Sequence, residues 1–338
     1  MNNPEFEAVM LAHGGGGELM QQLIHTVLLP ALGNSPGTLS DSAVLDAPGQ
    51  RLAFTTDSYV VKPLFFHGGD IGRLAVCGTV NDLAVCGGSP IALSLGMIIA
   101  EGTPGEVVQR IAESVGVAAR EAGVPVVTGD TKVVERGAAD GVFLNTSGIG
   151  LVPESVLLSP TSCESGDAVI VSGAIGDHGI AIMSEREGLS FESPVVSDVA
   201  PLNHMIADVL AVPEGIRCMR DATRGGVAAV LNELAVASGV CIRIEESAVP
   251  VHPAVHGACD LLGLDPFEVA NEGKVVVVCS GERAERAVQV MRRHTAGAEA
   301  AIVGQVEDGR AGRVLLQTPI GGDRILDMPY GEQLPRIC

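Results

Sequence analysis

Apolar positions along the chain switch between short strand-like runs and longer stretches with helical spacing. Residues 52–56, 91–99, 124–128 and 142–151 read as strands, with helices at 71–85 and 106–121 between them. The second helix opens on Thr103-Pro104-Gly105-Glu106, which has capping-box spacing and a proline in the first turn. A stretch rich in Pro and Ser, residues 153–166, breaks the alternation and marks a domain boundary. The pattern then resumes. Strands are expected at 168–172, 240–245, 274–279, 301–306 and 313–317, and helices at 177–187, 198–211, 226–238 and 283–294. This is an α/β chain in two halves, 1–153 and 154–320. Residues 321–338 have no period and several Gly and Pro, so they are expected to form a mobile tail. Extended, the tail spans roughly 55–65 Å. Its last residue is Cys338.

Charge narrows the function. Of 338 residues, 41 are acidic and 21 basic, a formal charge of −20. That excludes general nucleic-acid binding and docking on anionic lipid. The apolar share of 46% excludes disorder as a whole, and with aromatics at 3% there are few platforms for stacking bases. No apolar run is long enough to span a bilayer and the first ten residues carry no basic region, so a soluble cytoplasmic protein is expected. None of the eight cysteines forms a C-x-x-C pair or has zinc spacing. Seven read as buried small hydrophobes, and Cys338 stands apart at the terminus. Prenylation is excluded, because Pro335 occupies the position that would need Cys.

Neither a P-loop nor a dinucleotide fingerprint is present. Gly14, Gly15, Gly16 and Gly17 instead follow His13 and precede a helical pattern at 19–29. Such a run is either a lid over phosphates or a flexible turn. Asp41, Asp57, Asp82 and Asp130 read as acids at the ends of strand-like runs, flanked by small or hydroxyl residues, with Asn81, Thr128 and Gly129 adjacent and Lys132 close by. Carboxylates with room around them suit Mg²⁺ and nucleotide phosphates, although each taken singly is also an ordinary cap or turn residue. Asp221 is either a helix cap or a metal ligand, and Glu272 either a turn acid or a base facing the interdomain cleft. His252 and His256 are four apart but lack further ligands, so no metal site is expected there.

Together these motifs resemble one family, the HypE carbamoyl dehydratases of the PurM-like ATP-dependent superfamily. The matching segments are HGGGGELM (13–20), TTDSYVVKPLFFHGGDIGRLAVCGTVNDLAVCGGSP (55–90), VVTGDTKVV (126–134), DATRGG (221–226), ANEGK (270–274) and the ending PRIC (335–338). The terminal Pro-Arg-Ile-Cys is the most specific of them. The resemblance implies a PurM-like two-domain fold whose N-terminal domain forms a homodimer through its sheet, giving a barrel-like interface. It also implies ATP and Mg²⁺ as cofactors and two sets of partners, the carbamoyltransferase HypF and the HypC–HypD iron scaffold. Cys338 would carry a carbamoyl group that is dehydrated to thiocyanate for nickel–iron hydrogenase. By motif match Asp41, Asp57, Asp82, Asp130 and Asp221 would serve metal or phosphate. Lys132 would face the developing oxyanion, Glu272 would take protons, and Gly14–Gly17 would close over the phosphates. The alternatives are a superfamily cousin, such as selenophosphate synthetase or thiamine-monophosphate kinase, and a non-catalytic thiol carrier. A cousin needs no terminal thiol, and a carrier leaves the acids unused.

Overall fold

The computed structural model describes residues 17–28, 41–47, 49–188, 195–212, 215–331, 334 and 336–338. After helix α1 (Glu18–Leu23), the first half contains β1 (Ala43–Ala47), β2 (Gln50–Tyr59), the small ribbon β3 (Phe65–Phe66) and β4 (Gly69–Asp70), and helix α2 (Ile71–Val85). It continues with β5 (Ser89–Ala100), α3 (Gly105–Ala122), β6 (Val126–Val134) and β7 (Val142–Val152). Five strands form a sheet in the order β1-β2-β7-β5-β6, in which only β5 and β6 run parallel. Side chains alternate between its faces. Ala53, Thr55, Asp57 and Tyr59 of β2 point inward toward α2, while Phe54, Thr56 and Ser58 point outward. Leu45, Phe54, Ile98, Ile149 and Leu151 leave the outward face apolar and exposed.

α2 is buried almost all round, because the sheet lies on one side of it and the second half on the other. The Asp70 carboxylate caps it by accepting from the Gly72 and Arg73 amides at 2.7 and 3.1 Å. The capping box expected at α3 does not form. The Thr103 hydroxyl turns back to the Ala100 carbonyl at 2.8 Å, and the helix begins at Gly105.

The second half contains β8 (Asp167–Val171), α4 (Asp177–Glu187), α5 (Asn203–Leu210), β9 (Ile216–Asp221), α6 (Gly226–Ser238), β10 (Cys241–Glu245) and α7 (Pro253–Leu262). After these come β11 (Val275–Ser280), α8 (Gly281–Met291), β12 (Ala301–Glu307), β13 (Arg313–Gln317) and β14 (Asp323–Ile325). The seven-stranded sheet runs β14-β13-β10-β12-β8-β11-β9. α5 and α8 pack on one face through Met205, Val209, Ala287 and Met291, and α6 packs on the other through Val227 and Leu231. β9 is not legible as a strand, because Ile-Arg-Cys-Met-Arg-Asp carries two arginines. The fold pairs them, Arg217 with Glu164 and Asp167, Arg220 with Asp41 and Glu233. The helix expected at 198–211 starts only at Asn203, after Pro201 and a segment used for other contacts.

The tail departs most from expectation. Residues 323–325 pair with β13, and Leu334 and Ile337 are buried with Tyr59, Ile180 and Val269 in a core shared by the two halves. The segment lacks a period because its anchors are single side chains and backbone groups rather than one regular face.

Candidate active site

Asp41 precedes β1, Asp82 lies in the last turns of α2, and Asp221 ends β9. The fold gathers one carboxylate oxygen from each to within 4.8 Å of the others. Local bonds hold this arrangement. The Ser42 hydroxyl donates to the Asp82 carbonyl at 2.9 Å, and Thr55 Oγ1 lies 2.9 Å from Asp82 Oδ2 and 3.0 Å from the Asp41 carbonyl. Beyond Asp221, Gly225 and Gly226 take φ of +78° and +62°, and a Cβ at Gly226 would strike the Phe267 carbonyl. Only glycine makes that turn into α6. The Arg220 guanidinium bridges Asp41 (2.7 Å) and Glu233 (2.9 Å), a pairing that sequence gives no sign of.

Crowded, enclosed carboxylates resist ionisation. Burial pushes Asp221 up to about 8, and Asp41 adds to the shift. Burial raises Asp41 to about 6 against the pull of Arg220. Asp82 is raised well above the usual range, by burial and then by Asp221 and Asp41. The buried Glu272 is raised by desolvation and then by Asp57 and Asp221, and its Oε1 has no hydrogen-bond partner among the described residues. Arg220 neutralises one acid of the group and leaves the others in want of a cation. Three hard carboxylate donors in this spacing fit Mg²⁺ bound together with phosphate oxygens.

The structure does not bring every candidate to this point. Thr128, Asp130 and Lys132 lie on the edge strand β6, opposite Ser94, Gly96 and Ile98 of β5, and so share the outward face. Asp57 faces inward on β2, three strand spacings away, roughly 14 Å. Lys132 Nζ pairs with Asp130 at 2.6 Å in full exposure, and this contact holds Asp130 below the usual carboxylate range. The Asn81 amide is used by backbone of the second half, accepting from Leu202 N at 2.8 Å and donating to Ala200 O at 3.1 Å. Gly14, Gly15 and Gly16 fall outside the described residues. At Gly17 the helix start meets the tail instead, with Glu18 N donating to Pro329 O at 3.0 Å.

The end of the tail lies antiparallel to residues 60–62, with Val60 N donating to Cys338 O and Lys62 N to Arg336 O, each at 3.1 Å. Val60 is three residues beyond Asp57, so the carbonyl of the terminal cysteine sits about 10 Å along the chain from Asp57, with Thr55 and the acids it touches two residues further. His178, buried, donates from Nε2 to the Ile337 carbonyl at 2.7 Å and accepts at Nδ1 from Ser197 at 2.8 Å. Arg186 Nη2 donates to the carbonyls of Lys62 and Arg336 at 2.8 and 2.9 Å. Arg336 takes φ of +57° and reaches Asp140 Oδ2 at 2.6 Å, a carboxylate shared with Lys62 Nζ at 2.9 Å. Nothing in the spacing of the sequence marks His178, Arg186 or Asp140. Of the eight cysteines, six are buried and Cys86 is half-buried, as is Cys338.

Comparison with known proteins adds an independent line. The AIR synthase related protein N-terminal domain matches residues 39–152, and the corresponding C-terminal domain matches 164–317. "Carbamoyl dehydratase HypE" of Azotobacter vinelandii is 51% identical over 332 residues, covering 98% of this chain and 97% of the relative. A crystal structure of a HypE–HypF complex contains a chain 48% identical, with a TM-score of 0.86, covering 91% of this chain and 99% of that one. A crystal structure of HypE in complex with ATP is 45% identical, with a TM-score of 0.83 and coverage of 98% and 100%.

Proposed function

The chain belongs to the HypE carbamoyl dehydratases, and from that premise we propose how its own residues perform the reaction. The activity is ATP-dependent dehydration of an S-carbamoyl group on the terminal cysteine to thiocyanate, a source of cyanide ligand in nickel–iron hydrogenase maturation. The observation that carries the residue assignments is the seated tail, which lays Cys338 beside the end of the strand that bears Asp57 and, further along, Thr55 with its contacts to Asp41 and Asp82.

A carboxamide does not lose oxide on its own. Transfer of the γ-phosphoryl group to the carbamoyl oxygen, with release of ADP, turns that oxygen into part of a good leaving group. The C–O bond then breaks, phosphate departs with the oxygen, and the nitrogen gives up both its protons as the triple bond forms. Asp41, Asp82 and Asp221, with Asp57 adjacent, would hold Mg²⁺, which would neutralise the triphosphate. Glu272 takes protons from nitrogen. Its carboxyl lies in a desolvated site that raises its basicity. Cys338 is the covalent carrier. Asp130, Lys132 and Thr128 take part from the outward face. That face is apolar around them, and a homodimer packed through it would enclose the nucleotide between the two copies. The division into 1–153, 154–320 and a tail 321–338 belongs to this reading. So do HypF as donor of the carbamoyl group, HypC–HypD as acceptor of the cyano group, and a cytoplasmic location. No helix among the described residues is long and apolar enough to cross a membrane.

The test is a mass measurement on the C-terminal peptide. With carbamoyl phosphate, ATP and the carbamoyltransferase, Cys338 gains a carbamoyl group; the dehydratase step with ATP and Mg²⁺ then removes one water. No adduct on Cys338 sinks the assignment, and an adduct that keeps its water favours a carrier.

A further inference from the structure

We propose that Asp198 and Asn81 are positioning residues that aim Glu272 by holding its backbone from both sides. The inference rests on the reading of Glu272 as the base.

Asp198 precedes α5 and its side chain is buried. Its Oδ1 accepts from the Glu272 amide at 2.9 Å, and its Oδ2 lies 3.0 Å from Lys274 Nζ. The buried pair therefore brackets Glu272, gripping its N–H from one side and its second neighbour's side chain from the other. Gly273 lies between them, and a Cβ there would run into the Asp198 carbonyl. Residues 272–274 are thus pressed flat against 198–200, a contact that any side chain at 273 would lift.

The opposite grip comes from the other domain. Asn81 Nδ2 lies 3.4 Å from the Glu272 carbonyl and 3.1 Å from that of Ala200, while its Oδ1 accepts from Leu202 N at 2.8 Å. Asn81 precedes Asp82 on α2, so one helical turn presents a carboxylate of the cluster and also fixes the segment that carries the base. Glu272 needs this framework because Oε1 of its own side chain has no hydrogen-bond partner among the described residues. A carboxyl that is not held by its own contacts takes its aim from its backbone. Lys274 serves by keeping Asp198 ionised, and its nearness holds that carboxyl below the usual range despite burial.

The experiment uses the full chain carbamoylated on Cys338 with cyanate. It measures single-turnover dehydration on adding ATP and Mg²⁺, with ATP affinity and melting recorded alongside. Asp198→Asn is expected to slow dehydration roughly ten- to a hundredfold with ATP affinity unchanged, as displaced catalytic groups do. Asn81→Ser should act in the same direction and keeps the inference open to refutation if Asp198→Asn does not fold. In a Glu272→Gln background, either variant should add less than about twofold, because both act through Glu272. Multiplied losses in the double variants, or rates within about twofold of the parent for a folded single variant, overturn the inference. A Glu272→Gln protein with the parent's rate would instead remove Glu272 as the base, a separate outcome.

Discussion

The two faces of the first domain's sheet look onto aspartates of opposite electrostatics. On the enclosed side Asp41, Asp82 and Asp221 crowd together and all titrate high, because water has been replaced by protein and by one another. On the outward side Asp130 stands in solvent with Lys132 folded onto it and titrates low. The first set has one cation, Arg220 on Asp41, for three carboxyls, whereas the second supplies its own. An Asp in a small-residue setting therefore announces access but not role, and burial decides which acids are made for a metal.

The comparison breaks most visibly at Asp221. Asp221→Asn should lower ATP-dependent dehydration by about 10²–10³, the scale of losing a transition-state electrostatic contact. The cation-free protein should melt higher, since one crowded carboxyl is gone. A variant of unchanged rate would show that the enclosed cluster does not serve the reaction. Lys132→Ala comes next. The side chain is exposed, so stability should stay within about 0.5 kcal/mol. Dehydration should fall about tenfold or more if the outward face closes over the nucleotide, in keeping with the general worth of a positioned charge. An unaffected single-turnover rate would take that face out of the site.

Much of this was readable in advance, for reasons that differ by region. α2 and α6 were legible because apolar residues run through their length, and β11 because it opens on four buried valines. Asp41, Asp82 and Asp221 could be named as candidates, since local composition marks them. Their meeting could not, because it depends on β9, whose arginines look like surface until Asp41 and Glu233 are placed beside Arg220. Asp130 has a like small-residue setting, and only strand register separates it from them, by turning it to the other face. The tail's seat was hidden for a related reason. His178 and Arg186 share α4, far in sequence from Asp140, and the two on α4 reach the tail through its backbone carbonyls, which have no letter in the sequence.

The enclosed side should also reveal itself through pH. Asp41 and Asp221 bind protons more tightly folded than at their ordinary 3.8, so their contribution to stability is complete below that value. It is lost as pH rises through about 6 for Asp41 and about 8 for Asp221. Without divalent cations the melting temperature should therefore fall from weakly acid to weakly basic pH, and Mg²⁺ should flatten the decline. Equal slopes with and without Mg²⁺ would separate the raised titrations from metal binding.

The smallest effect belongs to the outward edge of the seat. Asp140 is half exposed and accepts from both Arg336 and Lys62, which hold its carboxyl below 3.8, Arg336 first. Its contribution is therefore present above that value and fades as pH falls through the depressed one. An exposed pair is worth little, and Arg186 and His178 still grip the tail after Asp140→Asn. Exchange of the Val60 and Lys62 amides, which donate to the tail carbonyls, should quicken only about two- to fivefold. Arg186→Gln, which removes the guanidinium donors to the Lys62 and Arg336 carbonyls, should quicken it more. If instead Asp140→Asn frees both amides fully, the tail is held from its solvent edge, and the contrast between enclosed and outward sides does not extend to the carrier cysteine.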